Sequence, residues 1–255
     1  MAPTEPADLV RCCIQQGVAL ITLNRPAARN ALSAELMRQL ETAIAGVSVD
    51  QSVRVCVLAG EGKSFCAGMD LRGVMDDPQT MGDMLRMLAR AMLALRRLRV
   101  PTVAQVQGAA IGGGCGLMVV CDFAVTHPEA KIGYPEVDLG ISPAVVAPWL
   151  VQKIGAGAAR AILLAGGTMT GAEAHARGLS THLVAQSELN SATDTLVARL
   201  ATGGATAIAT AKEWLGRIEG QAINEATCME AAEISARIIA GPEAQERLRK
   251  AFGPR

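Results

Sequence analysis

Two glycine-rich turns constrain this sequence most, because each follows directly on a short apolar run. Residues 64–71 come after the strand-like run 53–58, and residues 108–116 come after a second run, 102–106. A glycine turn can expose a backbone N–H that no side chain shields. Further along, a single carboxylate, Glu136, stands among apolar neighbours. Two N–H donors and one acid/base group are the minimum set for forming and protonating an enolate.

The composition excludes several classes of function. Lys+Arg 24 balance Asp+Glu 24, so a net charge of zero gives no attraction to nucleic acid or to an anionic membrane. The seven cysteines are scattered and no Cys/His cluster has zinc spacing, which is typical of free thiols in a reducing compartment. Residues 1–6 lack a signal-peptide pattern, and no apolar run reaches the roughly 20 residues that span a bilayer. We therefore expect a cytoplasmic protein with no metal, nucleic-acid or membrane partner.

The first part of the chain alternates strands and helices. Strand-like runs at 18–23, 53–58 and 102–106 are separated by a helix that Ser33 can cap and by an amphipathic helix over 81–97. This rhythm predicts an α/β fold with parallel strand pairing and right-handed crossovers.

The pattern becomes helical after about residue 141. The periodicity predicts helices near 143–154, 156–165, 171–178, 187–201, 204–218 and 222–240. We therefore divide the chain into an α/β core, residues 1–200, and a C-terminal helical region, residues 201–255.

Each glycine turn is placed to present one backbone N–H. Gly68 permits a tight turn, so the N–H of Met69 can point into a cavity. Residues 112–114 precede an apolar run, 115–120, that can form a short buried helix with the N–H of Gly113 at its positive end. The alternative for either turn is an ordinary tight turn. A nucleotide phosphate loop is disfavoured because no Lys-Ser/Thr pair follows the glycines.

Charged side chains near these segments have two interpretations each. Apolar neighbours would raise the pKa of Glu136 toward neutrality and suit it to proton transfer, whereas a loop glutamate is more commonly a surface ion pair. Asp70 is expected to brace its own turn. The cations that flank the loops, Arg25, Lys63 and Arg72, can contact the phosphates of a ligand or remain solvated.

Several ordered motifs between about residues 18 and 183 resemble those of one family. They are Asn24-Arg25-Pro26, Asn30-Ala31-Leu32, residues 60–71, residues 108–116 and Cys121-Asp122. Through them the sequence resembles the enoyl-CoA hydratase/isomerase (crotonase) superfamily. The resemblance implies a spiral of ββα units, with residues 201–255 as a helical trimerisation region in a homotrimer or a dimer of trimers. It also implies an acyl-CoA thioester as substrate, with coenzyme A as part of that substrate and no separate cofactor.

The resemblance assigns roles to individual positions. Met69 and Gly113 match the two positions whose N–H groups hold the thioester oxygen, and Glu136 matches the second of two catalytic glutamates. Residues that match the loop along the pantetheine and the adenine of coenzyme A are Ala67, Gly68, Asp70 and Leu71. The other substrate-binding candidates are Arg25, Gly112 and Gly116.

The sequence departs from the hydratase pattern at Gly116, which stands where the first catalytic glutamate is found. This glycine, with the Pro143-Ala144 form of the following segment, is similar to a bacterial subgroup assigned to hydration of branched or carboxylated enoyl-CoAs, such as methylglutaconyl-CoA. We therefore expect a hydratase with a gap at Gly116 that houses a substituent of the substrate. The alternatives are a Δ3,Δ2-enoyl-CoA isomerase that uses one glutamate and a non-catalytic acyl-CoA-binding protein.

Overall fold

The computed structural model describes residues 8–72, 74, 77–219 and 223–253. The strands are β1 (Val10–Gln15), β2 (Val18–Leu23), β3 (Val55–Gly60), β4 (Thr102–Val106), β5 (Ala110–Ile111), β6 (Phe123–Thr126), β7 (Lys131–Gly133), β8 (Thr168–Thr170) and β9 (His182–Leu183). The helices are α1 (Ala34–Val49), α2 (Pro78–Arg96), α3 (Gly113–Val120), α4 (Ala147–Ile154), α5 (Ala156–Ala165), α6 (Gly171–Ala176), α7 (Leu189–Ala201), α8 (Ala205–Ile218), α9 (Glu225–Ile239) and α10 (Pro242–Phe252).

A six-stranded sheet has the order β1-β2-β3-β4-β6-β9. From β2 to β9 its neighbours pair in parallel, which confirms the parallel pairing predicted from the strand–helix rhythm. The antiparallel pairing of β1 with β2 was not predicted. A two-residue turn joins these strands, and Gln16 and Gly17 both have positive φ, at 49° and 80°. Most of β1 is exposed, so it lacks the apolar alternation that reveals a strand.

A second, three-stranded sheet has the order β5-β7-β8. Its strands β5 and β7 each follow a strand of the first sheet along the chain, and β4, β5 and α3 form one ββα unit. The expected α/β spiral of ββα units is therefore confirmed. The strands β5 and β7 are too short to be recognised from the sequence. β5 leads into the glycine segment 112–114, and β7 leads toward Glu136.

The helical region after residue 141 is confirmed, with some boundaries shifted. The helix predicted over 143–154 begins at Ala147, with Pro148 in its first turn, where a missing N–H costs nothing. The helix predicted over 222–240 is α9, and Ala222 lies outside the described residues. Helix α10 was not predicted.

The last two helices cover the α/β core. Helix α9 packs along α2, where the Cα of Gly82 lies so near Ala236 that an added Cβ would be 3.2 Å from the Ala236 Cβ. Helix α10 packs against a short 3₁₀ helix, Glu136–Leu139, which ends at Gly140 in the left-handed conformation with φ 70°. A Cβ at Gly140 would lie 3.2 Å from the Cα of Ala244. Residues 225–252 thus close one side of the region around Glu136.

Asp122 ties the C-terminal part of the chain to the sheet. Its carboxylate accepts hydrogen bonds from the Thr102 N–H at 2.8 Å and from Lys212 Nζ at 2.5 Å. Arg96 completes the cluster at 3.3 Å. The structural role expected for this residue is therefore seen, since it links β4 to helix α8.

Candidate active site

Two single-residue bridges hold the first glycine turn, and one of them joins it to the second glycine turn. Cys66 bridges Ala110 in parallel, with its N–H bonded to Ala109 O at 2.8 Å and its carbonyl bonded to Ile111 N at 3.0 Å. Met69 bridges Leu32 in the same way. The loop at 64–71 is therefore held between the segment before α1 and the segment before α3.

Glycine is required at residue 68 by both conformation and space. Its φ is +91°, and an added Cβ would lie 2.8 Å from the carbonyl oxygen of Ile111. The same added atom would be 3.9 Å from the backbone nitrogen of Gly113. The two turns thus pass close to each other at Gly68 and Gly113.

The N–H groups of Met69 and Gly113 are both available. In the bridge to Leu32, the flanking residues make the bonds: Leu32 N–H donates to Gly68 O at 2.8 Å and Asp70 N–H donates to Leu32 O at 3.1 Å. The N–H of Met69 therefore points away from Leu32. Gly113 is the first residue of α3, as predicted, so its N–H has no acceptor within the helix. Neither N–H donates to an acceptor among the described residues.

Glu136 begins the 3₁₀ helix that follows β7. Its Oε2 atom is buried and has no hydrogen-bond partner among the described residues, while an added Cβ at Gly112 would lie 3.1 Å from its Oε1. The Gly112 N–H donates to Gly133 O at 2.8 Å, so the backbone itself joins the second turn to the end of β7. Glycine at 112, with φ +55°, thus leaves room for the carboxyl group beside α3.

Burial raises the pKa of Glu136 to about 7. Desolvation penalises the charged form, and Asp138 adds a smaller effect in the same direction, while the backbone hydrogen bond acts against both. The side chain can therefore be neutral or ionised near neutral pH, which is what a group that alternately gives and takes a proton needs. The shift has the direction that the apolar neighbours predicted.

Glu136 and both turns line one cavity of about 210 Å³. Of the predicted site residues, those on its wall are Glu136, Met69, Gly113, Ala67, Gly68, Leu71 and Gly112. The rest of the wall is mainly apolar and comes from α2, from residues 135–146 and from the C-terminal helices. Ser235, Ile239 and Phe252 also line the cavity but were not predicted from the sequence, because they lie far along the chain from the two glycine turns. The i, i+4 spacing of Ser235 and Ile239 was the available signal.

The gap expected at Gly116 is filled, which corrects the sequence-based prediction. An added Cβ at this position would lie 2.8 Å from Val146 Cγ1 and 2.9 Å from Met92 Sδ. Gly116 is buried in α3 and does not line the cavity. The space left by the missing glutamate is therefore occupied by apolar side chains of this chain, not by room for a substrate group.

Arg25 and Asp70 form an ion pair and are not among the described residues that line this cavity, so their role as substrate contacts stays a prediction. Arg25 NH1 lies 2.6 Å from Asp70 Oδ2, and the Arg25 side chain is 14% exposed. The same nitrogen donates to Ala31 O at 3.3 Å. Asp70 thus braces its turn, as expected, and Arg25 is its partner.

Two side-chain amides, of the buried Asn30 and the half-buried Gln107, organise the loop before Cys66. Asn30 Nδ2 donates to the carbonyl oxygens of Ser64 at 2.8 Å and Phe65 at 3.1 Å. Gln107 Nε2 donates to Ser64 O at 3.0 Å. These bonds use carbonyl groups that the irregular loop cannot satisfy by itself, so they fix the approach to Met69. Gln107 was not recognised from the sequence because its partners are backbone atoms far along the chain.

Within the described part of the chain, no group of three or more His, Cys, Asp and Glu side chains could hold a metal ion. No described helix combines the length and apolar character needed to cross a membrane.

Comparisons with known proteins agree on one family. A family model described as enoyl-CoA hydratase/isomerase matches residues 13–247. A protein of Rhizobium meliloti (strain 1021) described as a probable enoyl-CoA hydratase is 39% identical over 176 residues, which are 69% of this chain and 68% of that protein. The 2,3-dehydroadipyl-CoA hydratase of Escherichia coli (strain K12) is 38% identical over 168 residues, 65% of each chain.

A solved structure shows the same fold. The crystal structure of an enoyl-CoA hydratase from Mycobacterium avium superposes with a TM-score of 0.86 at 31% identity and covers 97% of both chains. With the match to the family model over most of the sequence, this likeness shows that the chain belongs to the enoyl-CoA hydratase/isomerase family of enzymes.

Proposed function

We propose that this protein hydrates the double bond of an enoyl-CoA thioester, and catalyses the reverse dehydration, through an enolate. The observation that carries the proposal is the buried Oε2 of Glu136, which has no hydrogen-bond partner among the described residues and lies in a cavity that Met69 and Gly113 also line. The names of the relatives as hydratases support the reaction.

Met69 and Gly113 are the proposed oxyanion donors. The thioester oxygen lies between their N–H groups and accepts from both as negative charge develops on it. Helix α3 adds its positive end at Gly113. Each such donor contributes about 2.7–4 kcal/mol of transition-state stabilisation.

Glu136 is the proposed acid/base group for both proton transfers. Its carboxylate takes a proton from water as the water oxygen bonds to Cβ and the C=C electrons move toward the thioester oxygen. The same carboxyl group then delivers that proton to Cα, so the enolate collapses to the 3-hydroxyacyl thioester and Glu136 returns to its starting state. A pKa of about 7 suits a group that holds the proton only between the two steps.

The other wall residues bind the thioester in this proposal. Ala67, Gly68 and Leu71 lie on the loop that also presents Met69, so they contact the pantetheine next to the thioester. Gly112 admits the carboxyl group of Glu136. Arg25 and Asp70 hold the loop through their ion pair.

A second candidate function is Δ3,Δ2-enoyl-CoA isomerisation. It is favoured by Val146 and Met92, which fill the position of a first glutamate and leave Glu136 as the one acidic side chain on the described wall. In this reaction Glu136 removes a proton from Cα of a 3-enoyl thioester and returns it to Cγ, with no water added.

Mass spectrometry in deuterated water separates these functions. Crotonyl-CoA and 3-methylcrotonyl-CoA test hydration through the mass of added water, and 3-hexenoyl-CoA tests the double-bond shift through chromatographic separation of the 2-enoyl isomer, which carries no added oxygen. Added water supports the hydratase. A double-bond shift alone supports the isomerase and overturns the hydratase. Binding without any product overturns both and leaves an acyl-CoA-binding protein.

The oligomeric part of the proposal is a homotrimer or a dimer of trimers, assembled through residues 201–255. It is supported by three large apolar side chains that α8 leaves exposed, Trp214 at 59%, Leu215 at 48% and Ile218 at 59%. Sedimentation velocity of the full chain tests it. A monomer at micromolar concentration contradicts the proposal.

A further inference from the structure

The cavity wall carries no cation within the described part of the chain. Its ionisable side chain is Glu136, and its hydroxyl-bearing residues are Ser142 and Ser235. Helix α2 contributes Leu85 and Leu88 to a wall that is otherwise apolar side chains and backbone. The site therefore offers a ligand two N–H groups, the Glu136 carboxyl group and the Ser142 hydroxyl, in a wall that is otherwise mainly apolar.

The Ser235 hydroxyl is already used by the protein. Its Oγ donates to Ser142 O at 2.9 Å and accepts from Val145 N–H at 3.3 Å. Ser235 is completely buried, so these two bonds satisfy it and tie α9 to the segment that carries Val146. It does not add a free donor for an anionic group.

The arginines near this region have other partners or lie in solvent. Arg25 pairs with Asp70, and Arg86 on α2 pairs with Glu233 of α9 at 2.6 Å. Arg72 is exposed, and its guanidinium carbon lies 5.8 Å from the centroid of the Phe252 ring. None of these three side chains lines the cavity.

A carboxylate on the acyl group would thus be desolvated without a counter-ion. An ionised carboxyl group in apolar surroundings is strongly disfavoured unless it is paired. Glu136 increases the penalty, because the ionised form that acts as a base would repel a second carboxylate in the same cavity.

We infer that this site, if it acts on acyl-CoA thioesters as proposed above, is selective for uncharged, apolar acyl groups and rejects acyl groups that end in a carboxylate. This selectivity narrows the range of substrates expected from the sequence, which included branched or carboxylated acyl groups such as that of methylglutaconyl-CoA. Val146 and Met92 are part of the reason, because they remove the polar pocket that a first glutamate would otherwise form beside the substrate.

The test is isothermal titration calorimetry with a matched pair of saturated ligands. Glutaryl-CoA and 5-methylhexanoyl-CoA have equal numbers of non-hydrogen atoms and differ in whether the acyl chain ends in a carboxylate or an isopropyl group. We expect the isopropyl ligand to bind about 100-fold tighter at pH 8. Equal affinity, or tighter binding of glutaryl-CoA, would overturn the inference.

Free coenzyme A distinguishes this failure from failure of the proposed function. Neither saturated ligand can be hydrated or isomerised, so the ratio of their affinities does not depend on turnover. If both bind no better than coenzyme A, the cavity does not hold acyl groups, and the proposed function fails together with the inference. If both bind better than coenzyme A but equally well, only the inference fails.

A charge placed on the wall gives a second test. Ile239 is buried on α9 and lines the cavity, so Ile239→Lys adds a cation there and Ile239→Met is its uncharged control. We expect the Lys variant to bind glutaryl-CoA at least about 10-fold better than the Met variant. If the Lys variant folds but still rejects glutaryl-CoA, the lack of a cation on the wall is not the cause of the selectivity, and the inference is overturned. If the Lys variant does not fold, the wild-type pair alone decides.

Discussion

Val146 occupies the space beside Gly116, with its Cγ1 2.8 Å from the point where a Cβ of residue 116 would be. The position at which hydratases of the resembled pattern carry their first glutamate is therefore closed by an aliphatic side chain. Among the described wall residues Glu136 is the one with a carboxyl group, so we assign the proton transfers to it.

The contact between residues 116 and 146 predicts a coupled pair of substitutions. Gly116→Ala forces a methyl group against Val146 and Met92, and overpacking of this kind costs about 1–3 kcal/mol of unfolding free energy. Val146→Ala should restore most of that loss in the double variant. Urea unfolding of the four proteins measures the coupling, and additive effects would show that the two residues do not touch.

Glu136→Gln is expected to bind acyl-CoA with little change but to lose about 10²–10⁴-fold in turnover. The substitution keeps the volume of the side chain and removes the proton that it transfers. Steady-state kinetics and calorimetric binding of a saturated acyl-CoA measure the two effects separately. Retention of full activity would remove Glu136 from the mechanism.

The same variant should become more stable than the wild type as pH rises. Burial raises the pKa of Glu136 from 4.5 to about 7, so the wild type has its full stability below pH 4.5 and loses part of it as pH rises to about 7, because over this range the unfolded chain releases a proton that the folded protein keeps. The glutamine side chain of the variant has no proton to lose and stays neutral over this range.

The free energy of unfolding of Glu136→Gln is therefore expected to exceed that of the wild type by an amount that grows from near zero at pH 4.5 to about 3 kcal/mol at pH 8. Chemical unfolding at the two pH values measures it. A gain that is the same at both values would show that Glu136 has an ordinary pKa in the folded protein.

Gly113→Pro isolates the N–H at the start of α3. Proline is tolerated in the first turn of a helix but has no N–H to donate. Gly113→Ala is the matched control, since both variants add a Cβ near Leu88 Cδ2, at 2.8 Å, while only alanine keeps the donor. We expect the proline variant to be at least about 100-fold less active than the alanine variant. Circular dichroism must show native helix content in both, and equal activities would exclude this N–H as an oxyanion donor.

Local chemistry explains which parts of the site the sequence predicted. The positive φ at Gly68 and the helix start at Gly113 depend on nearby residues, so the two candidate N–H donors could be located from the glycine turns. The burial of Glu136 followed from its apolar neighbours.

Contacts between distant segments explain the rest. The filling of the space at Gly116 depends on Met92 and Val146, which reach it from α2 and from the segment before α4. Ser235 and Phe252 line the cavity because α9 and α10 pack over the core. Strand β1 can be recognised only from its pairing with β2. The residue periodicity within a single segment does not predict contacts with distant segments.

The central claim is that Glu136 moves a proton at Cα while two backbone N–H groups hold the enolate. Exchange of the Cα protons of butyryl-CoA in deuterated water, followed by mass spectrometry, tests it without any hydration or double-bond shift. We predict that the wild type incorporates deuterium at Cα, at a rate that increases as pH rises through about 7, and that Glu136→Gln reduces the rate by about 10²–10⁴-fold. The same exchange rate in wild type and variant would contradict the account.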